Sequence, residues 1–204
     1  MDGGPFASIR TPARVVPAPA PRAVTVRPVG PHDAPRLAEL VRGLSPQSRY
    51  QRFHAGVREL SAATLARFTR FDPRCEMALI ATLPLDDGDE IALGEARYAV
   101  VDGRRDAREF AVMVTDEVQG LGLGARLLGA LVQHARRAGV GTLFGDVLRD
   151  NLAMLALGRK FGFLPTRHPG DARLQRLQRV LAAGRLYDPS MQRLAVAAGC
   201  ATPR

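Results

Sequence analysis

Apolar and polar residues follow two periods along most of this chain, and the switches between them predict its elements. Val24-Thr25-Val26-Arg27-Pro28 alternates and predicts a strand. Pro31-His32-Asp33 opens a helix that Asp33 is placed to cap, with Leu37, Leu40, Val41 and Leu44 at helical spacing. The polar stretch from Ser45 to Leu60 predicts a loop-rich segment with a short turn around Arg49-Tyr50-Gln51-Arg52-Phe53. Ser61 caps a second helix that carries Leu65 and Phe68 and stops near Asp72-Pro73. Met77 to Leu83 and Ile91 to Val101 read as two strands of a hairpin joined through a turn rich in Asp and Gly. A further turn from Asp102 to Asp106 leads to the strand Glu109 to Val114. Leu123 to Ala138 is amphipathic, with Leu127, Leu128, Leu131, Val132 and Ala135 on one face and Gly139 as its stop. Thr142 to Leu148 reads as a buried strand and Leu152 to Phe161 as a helix. Phe163-Leu164 leads out, and Leu174 to Leu181 fits a last strand or a continued helix. The order predicts an α/β fold with a mixed sheet.

Composition narrows the class. Residues 1–22 hold five prolines and four alanines without periodicity, and are expected to be a disordered arm. Residues 23–182 form the expected domain and 183–204 a tail of partly helical pattern. No apolar run approaches the roughly 18 to 20 residues of a membrane span, and no signal peptide is read at the start, so a cytoplasmic protein is expected. Cys75 and Cys200 lie too far apart to form a disulfide framework or a four-thiolate zinc site, and Cys75 is expected to be a small buried packing residue. His32, His54, His134 and His168 lack ligand spacing, so no metal is expected.

The net charge of +9 invites a nucleic-acid partner. All but one of the 29 basic residues are arginine, however, and they are spread from Arg10 to Arg204 with no run beyond a pair. A solvated basic surface explains that pattern, and nucleic acid is not the expected partner.

The chemistry concentrates between Val112 and Arg126. Val112-Met113-Val114 ends a strand, and Gln119-Gly120-Leu121-Gly122-Leu123-Gly124-Ala125-Arg126 turns through three alternating glycines into a helix. Glycine lets backbone N–H groups approach a ligand, and a helix start offers unpaired donors at the positive end of its dipole. That combination suits a pyrophosphate. A dinucleotide fingerprint is formally present, with Asp146 near the end of the next strand. It wants the strand to run straight into the first glycine, whereas Thr115 to Gln119 intervene. A Walker loop fails because no Gly-Lys-Ser/Thr follows.

Gln119-Gly120-Leu121-Gly122-Leu123-Gly124 resembles the acyl-CoA motif Q/R-x-x-G-x-G/A of the Gcn5-related N-acetyltransferases. Asn151 followed by Gly162-Phe163 is similar to that family's second signature, and the element order matches from Val24 to about Leu181. The resemblance is closer to the acetyltransferase domain of bacterial Pat-type protein lysine acetyltransferases, through Leu44 to Phe53, Glu76-Met77-Ala78, Glu109-Phe110-Ala111-Val112 and Arg159 to Phe163. It implies a mostly antiparallel central sheet flanked by helices, and acetyl-CoA as co-substrate. It also implies transfer of an acyl group by direct attack of a primary amine, with a protein lysine as the leading acceptor. A small-molecule amine, or a non-catalytic acyl-CoA-binding module, is the alternative. The partners expected are acetyl-CoA and an amine acceptor, with no membrane, in a monomer or homodimer.

The resemblance also implies roles for residues. Glu109 takes the general base position, with Glu76 and Glu95 as rivals acting through water. Backbone N–H groups near Met113 and Val114 face the developing oxyanion if the neighbouring strand splays away. Arg126 is placed to favour the phosphates. Asn151 either hydrogen-bonds the pantetheine arm, caps its helix, or does both. The tyrosine that often reprotonates the leaving thiolate is replaced by Gly158, so solvent, Tyr98 or Tyr50 would have to supply that proton.

Overall fold

The strand β2 (Glu76–Pro84) is apolar on both faces and organises the sheet around it. Met77, Leu79, Ala81 and Leu83 pack to one side, Ala78 and Ile80 to the other. A strand covered on both faces reads as a continuous apolar run rather than an alternating one. The computed structural model describes residues 24–181 except 87, 102 and 103, with backbone alone at 104 and 105. The expected arm 1–22 and tail 183–204 lie outside the described residues.

β1 (Thr25–Pro28), β2, β3 (Glu90–Val101), β4 (Arg104–Val114), β5 (Thr142–Leu148), β6 (Leu164–Arg167) and β7 (Leu174–Val180) form one sheet. Its order is β1-β2-β3-β4-β5-β7-β6. Every neighbouring pair is antiparallel except β4 and β5. Parallel neighbours need a long crossover. α4 (Leu123–Arg137) supplies it, and lays Leu127, Leu128, Leu131 and Ala135 fully buried on one face of the sheet. Burial of each such leucine stabilises by roughly 1.5–3 kcal/mol. α5 (Leu152–Lys160) joins the same face through Leu155. The opposite face is covered by α1 (Ala34–Gly43) and α3 (Ala62–Thr69), through Leu37, Leu40, Val41 and Phe68. The α/β fold with a mostly antiparallel sheet is therefore as expected.

Three local readings change. The polar stretch after Leu44 is not a loop with a turn but a helix, α2 (Pro46–Phe53), capped by Ser45 through the N–H of Ser48. β4 begins at Arg104, earlier than its apolar part suggests, because antiparallel pairing with β3 carries the polar residues along. Leu164 to Arg167 is a short edge strand. Of the two readings given for the segment from Leu174, the strand is the one that forms. Cys75 is buried as expected.

Asp33 changes role as well. Its carboxylate makes no forward cap on α1. It accepts from the Gly30 N–H at 2.8 Å and from both Nη atoms of Arg27 at 2.7 and 2.8 Å, pinning β1 to the helix. Burial alone would raise the Asp33 carboxyl, but the hydrogen bonds from Arg27 and Gly30 outweigh it and hold the group below the usual range. A carboxylate depressed by folding adds stability above its unfolded value, and that stability is lost as pH falls through the folded value. Asp33→Asn is expected to cost about 2–3 kcal/mol at neutral pH, less than a fully buried pair because Arg27 keeps Glu90 and some water. Denaturant midpoints of variant and wild type should converge in acid.

Candidate active site

β4 and β5 pair only from Ala107 to Glu109, opposite Thr142 to Phe144. Beyond that point each strand stays with its outer neighbour, β4 with β3 through Val114 and β5 with β7 through Leu148. The two therefore part, and a cavity of about 670 Å³ opens between them. That size suits a small-molecule cleft. Gly145 stands at the fork, where a Cβ would lie 2.9 Å from both the Phe110 ring and its carbonyl oxygen. A glycine inside an otherwise apolar strand is the sequence signal for such a close approach.

At one end of the cavity lies the glycine turn. Gly120 and Gly122 adopt φ of 77° and 90°, a region that glycine enters without strain. Gly122 starts α4 with no side-chain cap, and the first backbone bond of that helix runs from Arg126 N–H to the Gly122 carbonyl. The N–H groups of Leu123, Gly124 and Ala125 are thus left as donors at the positive end of the helix. Gln119, Gly120, Gly122, Gly124 and Ala125 line the cavity. An anionic pyrophosphate fits that cradle.

The motif turn is tied to α2. Asp116 accepts from the Ser45 N–H at 2.8 Å and from the hydroxyls of Ser45 and Ser48 at 2.9 and 2.6 Å. Gln119 Nε2 donates to Ser48 Oγ at 3.2 Å and to the Val114 carbonyl at 3.1 Å. One carboxylate and one amide so position a helix that buries none of its own residues.

Strand alternation decides which backbone donors face the fork. Thr115 N–H donates to the Leu93 carbonyl on β3. Met113, two residues earlier, therefore also turns its N–H towards β3, while Val112 and Val114 present theirs to the fork. The expected pair near Met113 and Val114 becomes Val112 and Val114. The Met113 side chain is buried against α1 and α3.

Glu109 lines the cavity at the last paired position of β4. Among the described residues its carboxylate makes no ion pair within 4 Å. Enclosure by the cavity walls raises its proton affinity, and the charge of Asp146 adds to this, while Arg176 and Arg52 oppose it. The rival carboxylates lie elsewhere. Glu95 is fully buried beneath Arg97 and Arg52, and neither it nor Glu76 lines the cavity.

Asn151 caps α5 by accepting from the Met154 N–H at 3.0 Å and also lines the cavity. The cap uses Oδ1 and leaves the amide donors for a ligand. The Arg126 guanidinium donates to the Val24 carbonyl at 2.7 Å and does not line the cavity. Leu121 is exposed and Leu123 buried in the core. Lys160 lines the cavity on α5 and was not singled out from the sequence. Tyr98 donates to or accepts from His134 Nδ1 at 2.8 Å, the Tyr50 hydroxyl accepts from Arg173 at 3.3 Å, and neither tyrosine lines the cavity.

Gly158 has no room for a side chain, since a Cβ there would lie 2.5 Å from Leu177 Cδ1. Gly158→Ala is expected to lose about 1–3 kcal/mol by displacing that buried leucine. A melting temperature equal to that of the wild type would contradict this.

In the sequence His54 is a histidine without ligand spacing. It ends α2 in the left-handed region with φ of 52°, rare for a non-glycine residue. It lines the cavity, and burial holds its imidazole below the ordinary range. Among the described residues no group of three metal-ligating side chains is found, and no helix is long and apolar enough to cross a membrane.

Comparison with known proteins places this geometry. The acetyltransferase (GNAT) family matches residues 40–163. An acetyltransferase of Pseudomonas aeruginosa is 34% identical over 151 residues, covering 74% of this chain and 80% of that protein. The L-methionine sulfoximine/L-methionine sulfone acetyltransferase of Pseudomonas aeruginosa is 33% identical over 96 residues, covering 46% of this chain and 55% of that protein. The crystal structure of the GNAT domain of PAT from S. lividans superposes with a TM-score of 0.68 at 29% identity, over 76% of this chain and 89% of that one. The cavity between parting strands, with a glycine turn at one end, belongs to a chain that is a member of the GNAT acetyltransferase family.

Proposed function

We propose that this protein transfers an acetyl group from acetyl-CoA to a primary amine, with Glu109 as the general base. The observation that carries the reading is the fork between β4 and β5. It holds the Glu109 carboxylate, which makes no ion pair among the described residues, on one wall and the unpaired N–H groups of the glycine turn at its end. The turn and the start of α4 would hold the pyrophosphate, and the Asn151 amide the pantetheine arm. Acetyl-CoA supplies a thioester carbonyl. The Val112 and Val114 N–H groups face the side on which negative charge develops as an amine adds to it. Glu109 takes the proton that the amine must lose, a role suited to a carboxyl raised towards neutral pH. Solvent returns a proton to the departing thiolate, since Gly158 offers no side chain.

A protein lysine is the acceptor that the likeness to the Pat-type domain supports. A small amino compound is the second reading, favoured by the relative named for methionine sulfoximine and methionine sulfone. An acceptor panel of lysine-bearing proteins, polyamines and free amino acids separates the two by mass spectrometry of the products. Thiol release with none of them would leave an acyl-CoA-binding module and overturn the enzymatic reading.

A further inference from the structure

We propose that Asp146 is a positioning residue for the transfer step, a fixed negative charge that faces Glu109 across the fork and sets how readily Glu109 takes the acceptor's proton. The inference rests on Glu109 as the base. Glu109 is in register with Phe144 on β5, and Asp146 is two residues further along, so the two carboxylates project from the same face of the sheet. Both line the cavity.

Asp146 is held from the side away from Glu109. Arg176, its register partner on β7, donates from Nε to Oδ1 at 2.7 Å and from Nη2 to Oδ2 at 2.8 Å. This two-pronged geometry fixes the carboxylate plane. The guanidinium itself lies 4.5 Å from the centre of the Phe144 ring. His168 Nε2 adds a third contact to Oδ2 at 3.2 Å. The other ring nitrogen, His168 Nδ1, accepts from the N–H groups of Gly170 and Asp171 at 3.2 and 2.8 Å and so carries no proton. His168 is therefore held as the tautomer that donates to Asp146. Three donors therefore meet the oxygens of Asp146.

The charged and titratable groups around Glu109 come from every neighbouring element. α2 contributes Arg52 and His54, α3 Arg67, α5 Lys160, β5 Asp146, β7 Arg176, and the β6–β7 loop His168. The carboxylate of Asp146 is the one charge in this set that favours a proton on Glu109. Burial works with it, and Arg176 and Arg52 work against it.

A bridge that merely tied β5 to β7 would lose the same thing whichever partner was removed. A charge that tunes Glu109 predicts opposite signs. The test is the pH dependence of kcat/KM for one amine acceptor at saturating acetyl-CoA, so that the acceptor's own titration is common to all variants. Asp146→Asn is expected to move the acid limb down by about one pH unit, and Arg176→Gln to move it up. Asp146→Glu keeps the charge and should leave the limb near that of the wild type, which decides the matter if Arg176→Gln does not fold. Limbs that stay in place in Asp146→Asn, or that move the same way in both bridge variants, would overturn the inference. Glu109→Gln separates the two claims. Loss of the limb in that variant upholds the base whatever Asp146 does, and its persistence removes the base itself.

Discussion

Glu109→Gln is expected to bind acetyl-CoA as the wild type does while turnover falls by about 10²- to 10⁴-fold, the usual worth of a positioned general base. The substitution keeps the size of the side chain and removes only its ability to take a proton. Glu109 sits where β4 and β5 part, at the opposite end of the cavity-lining strand from the glycine turn, so the contacts expected of the pyrophosphate are untouched. The wild-type rate should fall as pH drops through the raised value of Glu109, at a higher pH than an ordinary carboxylate would give. That limb should vanish in the variant. Stability should not suffer, because a carboxyl whose proton affinity rises on folding costs stability while ionised. Thiol release across pH, set beside calorimetric affinity, checks each part. Wild-type turnover in the variant would move the base to water.

Gly122→Val is expected to weaken acetyl-CoA binding on the order of 100-fold, about 2.7 kcal/mol. At φ of 90° a branched side chain strains the backbone by roughly 1–2 kcal/mol and stands among the N–H donors of α4. Gly139 provides the control. It has φ of 71° at the far end of the same helix, and at both glycines a Cβ would meet nothing within 4 Å. Gly139→Val should therefore lose comparable stability and keep its affinity. Equal losses of affinity in the two variants would mean that helix strain, not the cradle, is being measured.

The parts of the fold that were legible share one property, a local pattern that already states its environment. Leu127, Leu128, Leu131 and Ala135 repeat at helical spacing because one face of α4 lies on the sheet. Ser61 caps α3 as read, through the Thr64 N–H. α2 was not legible because it has no apolar face to announce it. Asp116, about 70 residues away in sequence, holds its start. β6 was missed for a similar reason, since all four residues of this edge strand are exposed and pairing with β7 alone defines it.

The site divides along the same line. The glycine turn is written in consecutive residues, and the position of Glu109 follows from the family resemblance. Asp146, His168 and Arg176 meet only through the register of β5 with β7 and the loop before it, which no spacing encodes. Arg126 stands next to the glycines in sequence, and its guanidinium donates to the Val24 carbonyl, about 100 residues distant, a contact that no spacing encodes.

The most direct measurement is a calorimetric titration of the full chain with acetyl-CoA, followed by addition of the acceptor panel to the saturated protein with thiol and acetylated amine counted together. Saturable binding at one site, then thiol and acetylated amine appearing in equal amounts, is the result expected. No saturable heat, or bound acetyl-CoA that outlasts every amine, would contradict it.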